Sequence, residues 1–137
     1  MTGNAVTQSA ILSLPSQHTI LVIDDDAAMR MILGLTLKGF GFLALVAGDG
    51  EEALQVAREH PEIRVILLDV VMRGLSGKEL ADQLQINLPN AAVVFCSGHP
   101  PEMMKLHGLD VESVPFMQKP CRPRELREKI EELLSAR

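Results

Sequence analysis

From residue 19 onward, short apolar runs alternate with longer segments of helical periodicity. Five apolar runs are predicted as strands, at about residues 19–24, 42–47, 64–69, 91–96 and 114–118. The first, third and fourth are continuously apolar, which is typical of strands buried on both faces of a parallel sheet. Alternating strands and helices with right-handed crossovers predict a three-layer α/β sandwich.

The first and the last predicted helices are marked by apolar side chains at helical spacing. The first helix ends at Gly39 and Gly41, where glycine is typical. Its apolar positions are Met29, Ile32, Leu33 and Leu37. Those of the last helix are Leu126, Ile130, Leu133 and Leu134. Both segments are therefore predicted to be amphipathic helices.

Capping residues mark two of the remaining helices. Asp49 is the expected N-cap of a helix over about residues 50–60, and Ser76 with Glu79 has capping-box spacing before a helix to about residue 85. Residues 100–107, which begin with two prolines, have room for barely two turns and are predicted to be short, irregular or mobile. The prediction is thus five strands and five helices.

Length and composition fit one soluble domain. The chain has 137 residues, of which 47% are apolar and 23% charged, which is ordinary for a globular protein. Residues 1–17 are of mixed composition with many small and polar side chains, and we expect them to form a flexible arm or a linker stub. Residues 18–137 are expected to form the domain.

Charge and targeting signals narrow the classes of function. The net charge of −5 argues against a nucleic-acid surface, which needs a basic patch. Neither a signal peptide nor a membrane helix is recognisable, so a cytoplasmic location without membrane contact is expected. Cys96 and Cys121 are expected to be reduced thiols rather than a disulfide.

Polar side chains close four of the predicted strands. They are Asp24–Asp26 after the first strand, Asp69 after the third, Ser97 after the fourth and Lys119 after the fifth. In an open parallel sheet, the carboxyl ends of the strands form the ligand-binding edge. Carboxylates, a hydroxyl and an ammonium at this edge indicate a divalent metal ion and phosphoryl chemistry.

The chemistry of these groups supports that interpretation. Clustered carboxylates repel one another and are hard to keep ionised without a cation, and Mg²⁺ prefers carboxylate and other oxygen ligands. A carboxylate can also accept a phosphoryl group, and charge neutralisation assists that transfer. Asp26 differs from its neighbours because it falls at the expected N-cap of the first helix.

Four motifs together resemble the receiver domain of two-component response regulators. They are Leu21–Asp26, Leu68–Gly77, Cys96–Gly98 and Gln118–Pro120, and the likeness covers about residues 19–135. The resemblance implies a flavodoxin-like parallel sheet of order 2-1-3-4-5. It also implies a signalling domain that catalyses only its own phosphorylation and dephosphorylation, with a histidine kinase or a histidine phosphotransfer domain as partner.

The resemblance assigns roles to individual residues. Asp69 would accept the phosphoryl group, and Asp24, Asp25, Asp69 and the backbone carbonyl of Val71 would hold Mg²⁺. Ser97 would hydrogen-bond one phosphoryl oxygen, and Lys119 would pair with another. The resemblance also implies that the peptide bond between Lys119 and Pro120 is cis. Phe116 would be the aromatic ring that moves inward when Ser97 engages the phosphoryl group.

The sequence also departs from the family pattern. Arg73 stands where the family usually has proline, so this guanidinium either attracts a phosphodonor or faces solvent. Val71 and His99 occupy positions that in the family tune the lifetime of the phosphoryl group, and we hypothesise that His99 overhangs the site. The short fourth helix puts in doubt the dimerisation surface of many transcriptional regulators, and a monomer is expected.

Other functions remain open at this stage. The motifs look most like receivers of hybrid sensor histidine kinases, with a freestanding regulator as the close alternative. A degenerate receiver would bind a partner without phosphorylation, although this chain keeps the acids, the hydroxyl and the lysine. Asp24 and Asp26 also resemble the Asp-x-Asp of haloacid-dehalogenase-type phosphatases, in which case Asp69 would have no role.

Overall fold

The five predicted strands form one parallel sheet. The computed structural model describes residues 17–72 and 76–136. The strands are β1 (Thr19–Ile23), β2 (Leu43–Ala47), β3 (Ile63–Asp69), β4 (Ala92–Ser97) and β5 (Phe116–Gln118). Their order in the sheet is β2-β1-β3-β4-β5, and every neighbouring pair is parallel, so the predicted order is confirmed. Residues 1–16 of the predicted N-terminal arm lie outside the described residues, and the predicted boundary between the arm and the domain stays a prediction.

Four α-helices and one 3₁₀ helix connect or follow the strands. They are α1 (Ala27–Gly39), α2 (Gly50–Glu59), α3 (Gly77–Asn87), the 3₁₀ helix (Pro101–His107) and α4 (Pro123–Ser135). The first three α-helices begin at side-chain caps, in which Asp26, Asp49 and Ser76 accept hydrogen bonds from backbone amides of the first turn. All three caps were predicted from the sequence.

The segment after β4 is short, as its sequence predicts. It forms a 3₁₀ helix that starts after Pro100 without a side-chain cap and ends at Gly108, whose φ of 76° is left-handed. Met104 is the buried residue of this helix. This connection therefore contributes one fully buried side chain to the core.

Apolar side chains fill both spaces between the sheet and its helices. On one face, side chains of α2, α3 and the 3₁₀ helix pack against the sheet residues Leu21, Ile23, Ile66 and Leu68. On the other face, α1 and α4 pack against Ile20, Val22, Val65, Leu67 and Val94. Because β1 and β3 send alternate side chains into both cores, they are buried on both faces, as predicted.

Three details differ from the expectations. β4 includes Ser97, so this hydroxyl lies within the strand. β5 begins at Phe116 because Pro115 has no amide hydrogen to donate to the ladder, although its carbonyl accepts from the Phe95 amide at 2.9 Å. Ile32, on the predicted apolar stripe of α1, is 57% exposed, whereas Leu37 is buried.

Candidate functional site

The ends of the strands bring the predicted polar residues to one edge of the sheet. Asp69 pairs in register with Cys96, and the next residue of β4, Ser97, pairs with Gln118. Asp24 follows β1 directly, and its amide donates to the Ala47 carbonyl at 3.1 Å. Since all strands run in the same direction, these residues and Lys119 lie at the carboxyl edge.

Three carboxylates form a cluster at this edge. Oxygens of Asp24, Asp25 and Asp69 lie within 4.8 Å of one another. Asp24 is 2% exposed and Asp69 is 9% exposed, whereas Asp25 is exposed. Ligands on opposite sides of an octahedral Mg²⁺ at about 2.1 Å would be about 4.2 Å apart, so small side-chain movements suffice for this donor set to fit the ion.

The Lys119 ammonium contacts two of the three carboxylates. Its Nζ donates to Asp24 Oδ2 at 2.5 Å and lies 3.7 Å from Asp69 Oδ2. The Lys119 amide donates to the Ser97 carbonyl at 2.7 Å, and the peptide bond to Pro120 is cis. Burial lowers the pKa of Lys119, but the hydrogen bond to Asp24 and the charge of Asp69 outweigh it, so the net pKa is raised.

Asp69 is held between the β3–α3 connection and Lys119. The Val71 amide donates to Asp69 Oδ1 at 3.2 Å. Burial raises the pKa of Asp69, the Lys119 charge opposes this, and the Asp24 carboxylate adds to it, so the pKa lies above its ordinary value. The ionised carboxylate of Asp69 is therefore less stable in the folded protein than in water, and a bound cation would stabilise it.

Ser97 and Phe116 lie on adjacent strands beside the cluster. Ser97 is 1% exposed, and its Oγ accepts a hydrogen bond from the His99 amide at 3.0 Å. Among residues 17–72 and 76–136, no acceptor is found for the Ser97 hydroxyl hydrogen, so it can donate to a ligand. His99 is exposed. Phe116 is half-buried and packs against the core on the α2–α3 side of the sheet.

Asp26 caps α1 and accepts from the Ala28 and Met29 amides at 2.9 and 3.3 Å, and it is not part of the carboxylate cluster. This position agrees with the predicted cap and removes support for an Asp24-x-Asp26 phosphatase pair. Arg73 lies outside the described residues.

A contact of Arg30 was missed by the sequence reasoning. Its Nη1 donates to the Asp24 carbonyl at 2.6 Å, and a Cβ on Gly48 would lie 2.8 Å from the same nitrogen. The Gly48 amide donates to Glu52 at 2.7 Å. Arg30 thus links α1 to the end of β1, and its guanidinium occupies the space beside Gly48. A small residue directly after an apolar run is a weak signal, and only the fold connects it to Arg30.

The cysteines lie behind the site and are both free thiols, as predicted. Burial raises the pKa of the Cys96 thiol to about 12. Burial also raises the pKa of Cys121, which is half-buried. Because the thiolate is the reactive form, neither cysteine is expected to act as a nucleophile at neutral pH.

The fold and this cluster define a flavodoxin-like α/β domain with an acidic, lysine-containing site at the carboxyl edge of its sheet. Comparison with known families identifies the family of this domain. The model of the response regulator receiver domain matches residues 20–131. The chain belongs to the response regulator receiver domain family.

Known proteins agree with this assignment. The chain is 33% identical over 116 residues to the alkaline phosphatase synthesis transcriptional regulatory protein PhoP of Bacillus subtilis, covering 84% of this chain and 48% of PhoP. It is 32% identical to the receiver domain of the hybrid histidine kinase CckA, with a TM-score of 0.72 over 85% of this chain and 98% of that one. Vibrio cholerae CheY4, at 23% identity, shares the fold with a TM-score of 0.76 over 86% of this chain and 99% of CheY4.

The curated relatives are longer than this chain. The chain spans about half the length of the curated relatives it matches, some of which are named as DNA-binding response regulators. The expectation that this chain contacts no nucleic acid therefore stays a prediction. Within the described part of the chain, no helix has the length and hydropathy needed to cross a membrane.

Proposed function

We propose that this domain is the phosphoacceptor of a two-component phosphorelay and that Asp69 is the residue phosphorylated. One observation carries the proposal. A nearly buried carboxylate, Asp69, lies with two further acids, a lysine and a serine hydroxyl at the ligand-binding edge of a receiver fold. Burying polar and charged groups together in this way is costly, and a charged ligand that joins them would offset the cost.

In the proposed reaction, a carboxylate oxygen of Asp69 attacks the phosphorus of a phosphohistidine. The new O–P bond forms as the P–N bond breaks, and the leaving imidazole nitrogen keeps the electron pair and takes up a proton. Hydrolysis of the acyl phosphate by water later restores the carboxylate and releases phosphate. The domain is therefore changed by its own reaction and signals through that change, rather than turning over a substrate as an enzyme.

Several residues supply charge to this transfer. Asp24, Asp25, Asp69 and the Val71 carbonyl would hold Mg²⁺, which when bound neutralises charge on the phosphoryl oxygens. Lys119 now pairs mainly with Asp24. A cation among the acids would free the Lys119 ammonium for a phosphoryl oxygen on Asp69. The ammonium nitrogen already lies 3.7 Å from Asp69 Oδ2. Ser97 would donate its hydroxyl hydrogen to another oxygen.

Phosphorylation would change partner binding through Ser97 and Phe116. Movement of Ser97 toward the phosphoryl group would leave room beside β4, and the half-buried Phe116 ring on β5 would turn inward. The expected partner is a histidine kinase or a histidine phosphotransfer domain in the cytoplasm. A place within a hybrid kinase is supported by the likeness to the CckA receiver, and a monomer is expected.

Three residues are proposed to tune the lifetime of the phosphoryl group. Val71 is 38% exposed beside Asp69, and the His99 amide contacts Ser97. Arg73 is two residues beyond Val71 in the sequence. For His99, the proposal is tested by comparing dephosphorylation half-lives of the wild type and His99→Ala, and equal half-lives would remove His99 from this role.

Intact-mass spectrometry tests the main proposal. The protein is incubated with Mg²⁺ and acetyl phosphate, beside an Asp69→Asn variant and an Asp82→Asn variant. Asp82 is a matched control, because it is an exposed aspartate of α3. A gain of one phosphoryl group is expected in the wild type and in Asp82→Asn, and no gain in Asp69→Asn or without Mg²⁺.

Two outcomes would contradict the proposal. Phosphorylation that survives Asp69→Asn would assign the acceptor to another residue. Failure to bind beryllofluoride with Mg²⁺, combined with no mass gain from acetyl phosphate or a phosphorylated histidine donor, would favour a receiver that binds its partner without phosphorylation.

A further inference from the structure

The two edge strands of the sheet, β2 and β5, differ in how much backbone they expose to pairing. β5 has only three residues and follows Pro115, so little of it can pair with a further strand. β2 has five residues, Leu43–Ala47, and all of them are apolar. Proteins usually protect an edge strand with a charge, a proline or a bulge, and β2 has none of these. Among the described residues, β2 pairs with β1 alone, so its outer side is suited to strand addition.

The hydrogen bonds of β2 to β1 identify the backbone groups on its outer side. The Leu43 amide donates to the carbonyl of the residue before β1 at 3.0 Å, and the Ala47 carbonyl accepts from the amide of the residue after β1 at 3.1 Å. Because successive residues of a strand face opposite sides with their amide and carbonyl groups, Leu45 also faces β1. Ala44 and Val46 therefore direct their amides and carbonyls outward, where a further strand could bind them.

On the α1 side of the sheet, an apolar groove runs along this outer side. It lies between α1 and β2 and has a volume of about 550 Å³. Met31, Leu35 and Val46 line the groove and are exposed. The charged residues among its described lining, Arg30 and Lys38, are both basic. This groove therefore accepts apolar side chains and repels cations.

On the α2 side of the sheet, the same strand borders an acidic groove. This groove has a volume of about 700 Å³, and Val46 lines it as well. Its charged residues are four acids and one base, all of them exposed: Asp49, Glu51, Glu52, Glu59 and Arg58. Since the acids outnumber the base, the side chain of a lysine or an arginine is favoured here.

The two grooves together select the sequence of an added strand. Side chains of a strand point alternately to the two faces of the sheet, so every second one would enter the apolar groove and the others would enter the acidic groove. We propose that the outer side of β2 is a docking site for an extended segment of a partner protein in which apolar residues alternate with lysine or arginine. Backbone hydrogen bonds to Ala44 and Val46 provide affinity, and the grooves provide specificity. Asp69 takes no part, so the inference does not rest on the proposed phosphorylation.

Amide hydrogen exchange, followed by ¹H–¹⁵N NMR on the full chain, tests the inference. In the free protein, the outward amides of Ala44 and Val46 should exchange faster than the Leu45 amide, which faces β1. The probe is an acetylated and amidated hexapeptide in which lysine and valine alternate. At about ten times its dissociation constant, it is expected to slow exchange of the Ala44 and Val46 amides about tenfold and to leave Leu45 unchanged. Unchanged exchange at Ala44 and Val46 would overturn the inference.

Two further peptides separate strand addition from attraction between charges. A hexapeptide with all lysines before all valines keeps the composition and the charge but loses the alternation. A hexapeptide in which glutamate and valine alternate keeps the alternation but reverses the charge. Each is expected to bind at least about tenfold more weakly than the probe. Equal protection of Ala44 and Val46 by either peptide would overturn the inference.

A variant of the chain tests the position of the site. Val46→Lys places a cation at the apolar groove and a charge on the edge strand, and it is expected to weaken binding of the probe about tenfold. Ile86→Lys is the matched control, because Ile86 is 81% exposed on α3 and lines neither groove, and it should bind as the wild type does. Equal binding by the two variants would overturn the inference.

Other occupants of the outer side of β2 would be recognised without any peptide. Slow exchange of the Ala44 and Val46 amides that becomes slower with protein concentration would assign this side to a second copy of the chain. Slow exchange that is independent of concentration would assign it to a segment of the same chain. Either result would overturn the proposed partner, and neither requires a variant to fold.

Discussion

The two edges of the sheet differ in how a buried charged group is compensated. At the carboxyl edge, the Lys119 ammonium contacts Asp24 and Asp69, and all three side chains are less than one-fifth exposed. At the amino edge, the buried Nε of Arg64 has no acceptor in the described parts of the chain. The carboxyl edge thus holds buried charges that neutralise one another, whereas the amino edge holds a buried donor for which the described residues provide no acceptor.

The difference shows that burial of charge has two distinct consequences. Where buried acids share one cation, removing that cation leaves them buried and unpaired, which is strongly destabilising. Where a partner is lacking, removing the group itself has little effect on the fold, because the group already lacks compensation. Substitutions at the two edges should therefore have different consequences for the free energy of unfolding.

Lys119→Met should produce the largest loss of stability. It leaves Asp24, which is 2% exposed, and Asp69 without their cation. We expect the free energy of unfolding to fall by about 3 kcal/mol in EDTA. Urea unfolding measures this, and Mg²⁺ should restore part of the loss by binding the folded state.

Lys78→Met is the matched control for that variant. The ammonium of Lys78 lies 3.5 Å from Asp82, but both side chains are more than half exposed, so the expected loss is below about 0.5 kcal/mol. Equal losses for the two lysine variants would show that burial does not distinguish these ion pairs.

Gly77→Ala should produce the next largest loss of stability, because the backbone at Gly77 lies against the backbone that follows β3. A Cβ on Gly77 would lie 3.0 Å from the Val70 Cα, which belongs to rigid backbone directly after Asp69. We expect a loss of about 2 kcal/mol in urea unfolding. At Gly39, where a Cβ would meet no atom within 4 Å, alanine should be tolerated. A well-tolerated Gly77→Ala would mean that the backbone after β3 adjusts easily.

Asp69→Asn should stabilise the metal-free protein modestly. The folded-state pKa of Asp69 is raised by burial, so its protonated form favours folding, and this contribution is lost as the pH rises through that pKa. Asparagine should therefore raise the urea midpoint at pH 7 in EDTA, and the gain should disappear at low pH. With Mg²⁺ the wild type should have the higher urea midpoint, because only the wild type keeps the Asp69 carboxylate that would bind the ion.

Asp110→Asn gives the contrasting control. Hydrogen bonds from the Glu112 amide and the Ser113 hydroxyl lower the pKa of Asp110, so its ionised form favours folding. Asparagine at this exposed position should lower the urea midpoint slightly at pH 7. A shift in the same direction for both aspartate variants would contradict the assigned causes.

Much of this architecture could be predicted from local sequence. Continuous apolar runs define β1, β3 and β4, and polar residues at the ends of the strands identify the residues that the fold brings to one edge. The caps at Asp26, Asp49 and Ser76 are likewise local, because the side chain and the amides it binds lie within three residues.

The remaining features depend on contacts that local pattern cannot reveal. Lys119 and Asp24 are 95 residues apart, so their pairing appears only when the sheet is assembled. The contact of Arg30 with the Asp24 carbonyl joins α1 to the end of β1. The bulge at Arg64 arises from the register between β1 and β3, and an arginine in an apolar run does not indicate it.

Arg64→Met should have the smallest effect, and it tests the other side of the comparison. Methionine keeps an unbranched, apolar side chain at this position and removes the buried Nε, for which the described residues provide no acceptor. We expect the free energy of unfolding to change by no more than about 0.5 kcal/mol. The direction expected is a small gain, because the substitution removes an unpaired buried donor. Urea unfolding beside Lys119→Met measures the contrast. A loss approaching that of Lys119→Met would mean that Arg64 is compensated within the folded chain, and the contrast between the two edges of the sheet would then fail.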